Sequence, residues 1–291
     1  MIQIPPSTLR LRFEPAPSIC KTEATVLRIH PFSHTSHMVV WLTEDGRRLV
    51  TPVKGAARPK SPFLGQYDLF YACELLYYAR ERDGIHVARE CEPLRRRDGL
   101  RTNWRAERCA SWFAALADLV SDAGTPFPGL YRLLNETLDV LDALPGAPSP
   151  ALFARFEAKL LAEAGLRPNF APCPACGPDA PPRRAPLRFH LADGKLLCPV
   201  HGGSSVEDEP LAPVVRLPRA AVDLYAQLEA SPSIGEASGF ARGAPPATAA
   251  LLRFLGLFLH YHLPDAPLSG RAVALEGLSG PDAAEPPQVT G

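Results

Sequence analysis

From residue 23 to 93 the chain carries short runs of apolar, β-branched and aromatic residues separated by turn signals. The runs "ATVLRIH" (24–30) and "HMVVWLT" (37–43) come first, and Asp45-Gly46 lies just before "RLVTPV" (48–53). β-type runs on either side of an Asp-Gly turn predict a hairpin. "YDLFYACELLYYA" (67–79) and "GIHVARECE" (84–92) add two more strands, joined through "RERDG". Five short strands in roughly 70 residues fit a small five-stranded, OB-type antiparallel barrel, with an open sandwich as the alternative. Taken alone, "YACELLYYA" also fits a helix.

After Pro93 the spacing becomes helical. Thr102–Val120 repeats apolar residues every three or four positions through Trp112, Phe113, Leu116, Leu119 and Val120, and Leu130–Leu144 continues the pattern. Ser149-Pro150 is an N-cap followed by proline at the first helical position, opening a helix to about Ala164 with Gly165 as C-cap. Further helices are predicted at Pro218–Ala230 and about 247–263. The longest apolar run, Leu251–Leu263, contains Arg253 and stops at Pro264, so it reads as a core helix and not a membrane span. The expected class is therefore α+β. It comprises an N-terminal extension (1–22), an OB-fold barrel (23–93), a helical domain (94–270) with an insert at 168–203, and a disordered Pro-, Gly- and Ala-rich tail (271–291).

The insert carries metal-type chemistry. Cys173-Pro-Ala-Cys176 and Cys198-Pro-Val-His201 are separated by 21 residues. Two residues between ligands let both side chains of a knuckle face one ion, and three thiolates with one imidazole form a structural zinc set. Four protein ligands close the site to an activating water, which argues against catalysis. "LRFHLADGKLLC" between the pairs supplies the hairpin of a zinc ribbon. His190 or water remains an alternative to His201, and an iron–sulfur cluster would prefer all thiolates. Cys20, Cys73, Cys91 and Cys109 lack ligand spacing. Residues 1–20 show no apolar signal segment, so a reducing, cytoplasmic setting is expected, where paired cysteines are more often ligands than disulfides.

Charge adds a second theme. The net charge is zero, yet residues 1–108 carry 18 Lys+Arg against 12 Asp+Glu, and the remainder carries 13 against 19. Arg47, Arg48, Lys54, Arg58 and Lys60 lie in one hairpin and the loop after it, and Arg95, Arg96 and Arg97 mark the end of the barrel. With Trp41, Phe63 and Tyr67 as stacking candidates, a basic groove with aromatic faces suits single-stranded nucleic acid. Against this, a tryptophan in an alternating strand also reads as core, and an arginine run as a solvated face. The 33 prolines, about twice ordinary usage, fall mostly at boundaries and stiffen loops.

These segments, in this order, resemble the RecO family of bacterial recombination mediators. The stretch "TVLRIHPFSHTSHMVVWLTEDGRRLVTPVKGAARPKSPFLGQYDLF" is similar to that family's N-terminal domain, "CPACG…GKLLCPVH" to its zinc segment, and "LLRFLGLFLHYHLPDAPLSGRAV" to its closing helix. The likeness spans about residues 23–275. It implies a non-enzymatic protein that binds single- and double-stranded DNA and anneals complementary strands. It further implies engagement of the acidic tail of single-strand-binding protein, and work with RecR to place RecA on gaps. Cys173, Cys176, Cys198 and His201 would be its zinc ligands and Lys54, Arg58 and Lys60 its DNA contacts. The chain departs from the pattern in its histidine ligand, its Pro-rich insert and its terminal extensions. A basic pocket for the acidic tail, with Arg132 or Arg155, is not located by the sequence.

Two other classes compete. A zinc-ribbon and barrel protein acting on RNA or in transcription shares both modules, though not the long helical middle. A zinc hydrolase would need an open metal position and a general base, and no His-Glu-x-x-His occurs. No Gly-rich phosphate loop points to ATP use.

Overall fold

The computed structural model describes residues 18–79, 85–171, 176, 186–198, 200, 213–232 and 245–279. Cys173, His201 and the tail from 280 lie outside these residues. The N-terminal lobe is built from β1 (Ile19–Ser33), β2 (Ser36–Thr43), β3 (Arg48–Val53), β4 (Ala72–Tyr78) and β5 (Val87–Arg95). They form one antiparallel sheet in the order β3-β2-β1-β4-β5. From the β3 edge, Val50 makes an isolated parallel bridge to Ile85, just before β5, and the His86 amide donates to the Val50 carbonyl at 3.0 Å. The first strand starts four residues earlier than expected: Ile19 to Thr22 pair with Tyr78 to Leu75 and are not an irregular extension.

Alternation in β2 explains the unbroken apolar run from Met38 to Leu42. Val39 and Trp41 point into the sheet's own core with Ala24, Val26 and Leu75, while Val40 and Leu42 join the core of the helices. Successive side chains of a strand face opposite sides, and here both sides are covered. Trp41 is fully buried, and its indole N–H donates to Thr51 Oγ1 at 2.9 Å.

The second lobe contains α1 (Gly99–Thr102), α2 (Trp104–Val120), α3 (Pro128–Asp142), α4 (Pro150–Glu163), α5 (Arg219–Ala230), α6 (Pro245–His262) and α7 (Leu268–Ser279). A small sheet, β7-β6-β8, is made from β6 (Leu187–His190), β7 (Lys195–Leu196) and β8 (Val214–Leu217). Local signals set several ends. Ser149 Oγ accepts from the Leu152 amide, and Gly165 takes φ +74° after α4. The described part of the expected tail, residues 271–279, is instead the body of α7, which packs along α2.

α7 is held by a buried ion pair. Arg271 donates to both carboxylate oxygens of Glu157 at 2.7 and 2.8 Å and to the Leu252 carbonyl at 2.8 Å. Trp112 Nε1 adds a third bond to Glu157 at 3.0 Å. Complete burial pushes the Glu157 carboxyl up, and the Arg271 and Trp112 donors pull against that shift. Gly256 lies beside this pair: a Cβ there would sit 2.7 Å from Arg271 Nη1.

Candidate functional site

The basic loop after β3 is tied down at both ends. Gly55 takes φ +69°, and its amide donates to Ser36 Oγ at 3.2 Å. The Ala57 amide donates to the Thr35 carbonyl at 3.1 Å, and the Arg58 and Ser61 amides continue the turn onto the Gly55 and Arg58 carbonyls. Ala56 is buried, whereas Lys54, Arg58 and Lys60 are exposed. Beyond the loop, Phe63 and Tyr67 turn inward, where Tyr67 packs on Trp41 and bonds His37 Nδ1 at 2.7 Å. Desolvation is the main cause that raises the Tyr67 phenol. The three aromatic stacking candidates are therefore packing residues that anchor the loop. Its cations project from a fixed backbone, and among the described residues none is in an ion pair with a carboxylate.

The remaining basic candidates fare differently. Arg47 is exposed at the hairpin turn and pairs with Asp45 at 3.4 Å. Arg48 is bound at 2.6 Å by Asp118 of α2, whose other oxygen takes Arg28 at 2.8 Å. Arg96 is exposed. Arg95 reaches Glu23 at 2.5 Å and Asp139 at 3.2 Å.

Arg97 corrects the expectation of a three-arginine DNA contact: it is 5% exposed and faces the lobe junction. Its guanidinium bonds Asp139 Oδ1 at 2.7 and 2.8 Å, Asn135 Oδ1 at 2.7 Å and the Phe70 carbonyl. Burial pulls its pKa down and Asp139 holds it up. Arg97 and Phe70 are the two non-glycine residues with positive φ among those described. With Thr25 also donating to Asn135 Oδ1 at 2.8 Å, this network joins sheet to helix α3. A phosphate could not compete for donors already engaged inside the protein.

The cavity between β4, β5 and the segment after the basic loop (Pro62, Phe63, Gln66) is lined by Glu74, Glu90 and Glu92 with Arg89. That carboxylate-rich face disfavours a polyanion, which leaves the basic loop as the better-suited surface of the lobe.

The metal-type residues are partly described. The Asn169 amide donates to the Gly194 carbonyl at 2.7 Å, and the Leu196 amide donates to the Asn169 carbonyl at 3.2 Å. This parallel pairing runs the two chain segments side by side toward the cysteines. Cys176 Sγ lies 3.3 Å from Cys198 Sγ, far beyond the ~2.05 Å of a disulfide. The Val200 amide points at Cys198 Sγ at 3.4 Å. Two thiols this close, one receiving a backbone N–H, suit a shared soft cation. His190 sits at the hairpin end instead, with Nδ1 accepting from the Asp193 amide. Among the described residues no His, Cys, Asp or Glu joins the two thiols as a third ligand.

The hairpin is better anchored than its composition implied. Leu187, Phe189, Leu191 and Leu196 belong to the helical core, and Phe189 packs against Phe170, Phe254 and Phe258.

Residues 101–272, from the end of α1 into α7, match the family model described as "Recombination protein O C terminal". The chain belongs to the RecO family. It is 32% identical over 248 residues to the DNA repair protein RecO of Anaeromyxobacter sp. (strain K), covering 84% of this chain and 91% of that one. It is 33% identical over 193 residues to the RecO of Desulforudis audaxviator, covering 66% and 73%. With the RecO of Rhodopirellula baltica it shares 30% identity over 175 residues, 60% of this chain and 64%, just under two thirds, of that one. The RecO family model covers the helical lobe, and the Anaeromyxobacter match extends over most of the chain.

One feature was missed by the sequence reading. Trp104, at the first position of α2, is 49% exposed, with the Arg105 and Arg108 guanidinium groups 5.2 and 4.6 Å from its ring centre. The repeat of apolar residues along α2 gave no reason to separate it from Trp112. Its position one residue after Asn103, outside the apolar face, was the available signal.

Proposed function

We propose that this RecO-family chain works in DNA repair as a binding protein without catalysis. In this reading it anneals complementary strands and, with RecR, assists RecA onto gaps coated by single-strand-binding protein, whose acidic tail it engages. The family membership supports the repair role, and the rigid loop with three outward cations supports the DNA contact. The bridge between Val50 and Ile85 supports closure of the N-terminal sheet into an OB-type barrel. No helix among the described residues is long and apolar enough to cross a membrane, in keeping with work on DNA in the cytoplasm.

Binding through Lys54, Arg58 and Lys60 would be dominated by phosphate contacts and counterion release. Replacing all three by Glu is expected to weaken single-strand binding by at least tenfold at about 0.1 M salt. It should also flatten the slope of log affinity against log salt by roughly two units, at about 0.7 per lost contact. A salt titration with an oligonucleotide, alongside an annealing assay, checks this. A wild-type chain that neither binds nor anneals DNA overturns the reading.

For the insert we propose one structural zinc ion held by Cys173, Cys176, Cys198 and His201. Bound there, the ion supplies a cross-link between the two chain segments. Because Phe189 and its neighbours already hold the hairpin, chelation is expected to loosen the knuckle and leave the core in place. Hydrogen exchange should rise several-fold at the Val200 amide while Phe189 stays protected. Metal analysis that finds no zinc, together with an unchanged melting midpoint in Cys198→Ser, would refute the site.

A further inference from the structure

The helical lobe carries an aromatic surface that the basic loop does not explain. The chain has three tryptophans; Trp41 and Trp112 are 0% and 1% exposed, each with its indole N–H bonded inside a core. Trp104 differs in both burial and company. Its ring faces solvent, Arg108 lies over it at 4.6 Å, and among the described residues no carboxylate pairs with Arg108.

The ring is also fixed in place. Asn103, the residue before it, accepts from the Ala106 amide at 3.2 Å and donates to the Leu144 and Gly146 carbonyls at 3.1 and 2.8 Å. This staples the start of α2 to the segment between α3 and α4. From behind, Gly277 of α7 comes close enough that a Cβ there would lie 3.7 Å from Trp104 Cζ3.

A half-exposed indole on an immobile backbone, with the Arg108 guanidinium over its ring at 4.6 Å, offers a cation–π stack that a base can extend, or enter in place of the arginine. Every base has a π face to stack, and the arginine can reach the adjoining phosphate. We propose that Trp104, with Arg108, is a stacking site for an unpaired base of single-stranded DNA, separate from the phosphate contacts of the basic loop. This rests on the reading that the chain binds single strands. Paired bases present no free face, so the site favours single strands over duplex.

The test uses the full chain and an oligo-dT. Because the other two tryptophans are buried, quenching of intrinsic fluorescence on titration should come from Trp104 and vanish in Trp104→Leu. Trp104→Ala should lose roughly 5- to 100-fold in affinity for oligo-dT, the range expected for one stacked base. Trp104→Phe should keep most of the affinity, and duplex binding should stay within about twofold in both. Matching melting curves establish that the variants are folded. If the wild-type chain binds and the Lys54, Arg58 and Lys60 variant weakens it while Trp104→Ala does not, the stacking site is wrong and the DNA-binding reading stands. If the wild-type chain does not bind single strands, both fall.

Discussion

Glu157→Ala is expected to cost about 3–5 kcal/mol of stability, the cost of leaving one member of a buried ion pair uncompensated. The substitution strands Arg271, which is 8% exposed, beside an emptied site. The Trp112 indole N–H loses its acceptor at the same time. For a chain of this size that corresponds to a fall in melting midpoint on the order of 10 °C. The effect should extend to α7, since Arg271 carries that helix's bidentate attachment. The reverse change, Arg271→Ala, strands a fully buried carboxyl and should cost a similar amount. Replacing both together, Glu157→Leu with Arg271→Met, should recover most of the loss, because well-packed apolar residues can match a buried pair. Thermal or denaturant unfolding of the three variants checks this. A double variant no better than the singles would mean that the pair itself, and not the uncompensated charge, sets the stability.

The second large effect is expected at the lobe junction. Arg97→Ala removes the donors that Asp139, Asn135 and the Phe70 carbonyl share, and these partners belong to both lobes. A loss of about 1–3 kcal/mol is expected from the acceptors left unsatisfied, since Asp139 is half-exposed and keeps Arg95, and its form matters as much as its size. Unfolding should broaden, because the sheet and α3 keep only their outer links, Thr25 to Asn135 and Arg95 to Asp139, once the guanidinium between them is gone. Arg97→Lys should rescue little: an ammonium group cannot reproduce the planar fork that serves three acceptors. Calorimetry is the measurement, and one sharp transition at the wild-type midpoint would remove Arg97 from this role.

These two networks also mark where the sequence ceased to be legible. Helix ends written locally were readable: Ser149-Pro150 opens α4 and Gly165 closes it, each within a few residues. The Asp-Gly turns and alternating runs likewise gave the strands of the first lobe. α7 was not readable, because "LSGRAVALEGLS" has few large apolar residues and its attachment is to Glu157, 114 positions earlier. The same holds for Arg97, indistinguishable by type from Arg96 beside it and separated only by a partner 42 residues downstream. For the site, residue identity gave the cysteine pairs and the basic loop, and burial decided the rest. Trp41, Phe63 and Tyr67 support the loop from inside, while Trp104 supplies an exposed ring.

The two-sided burial of β2 limits how the protein can be divided. Val40 and Leu42, with Leu27 and Phe70, are buried in the core shared with the helices, so an excised N-terminal lobe would present an apolar stripe to water. Such a stripe favours self-association. The N-terminal lobe of this chain is thus not a portable cassette, and exchanging it between relatives requires exchanging the helical surface that matches it.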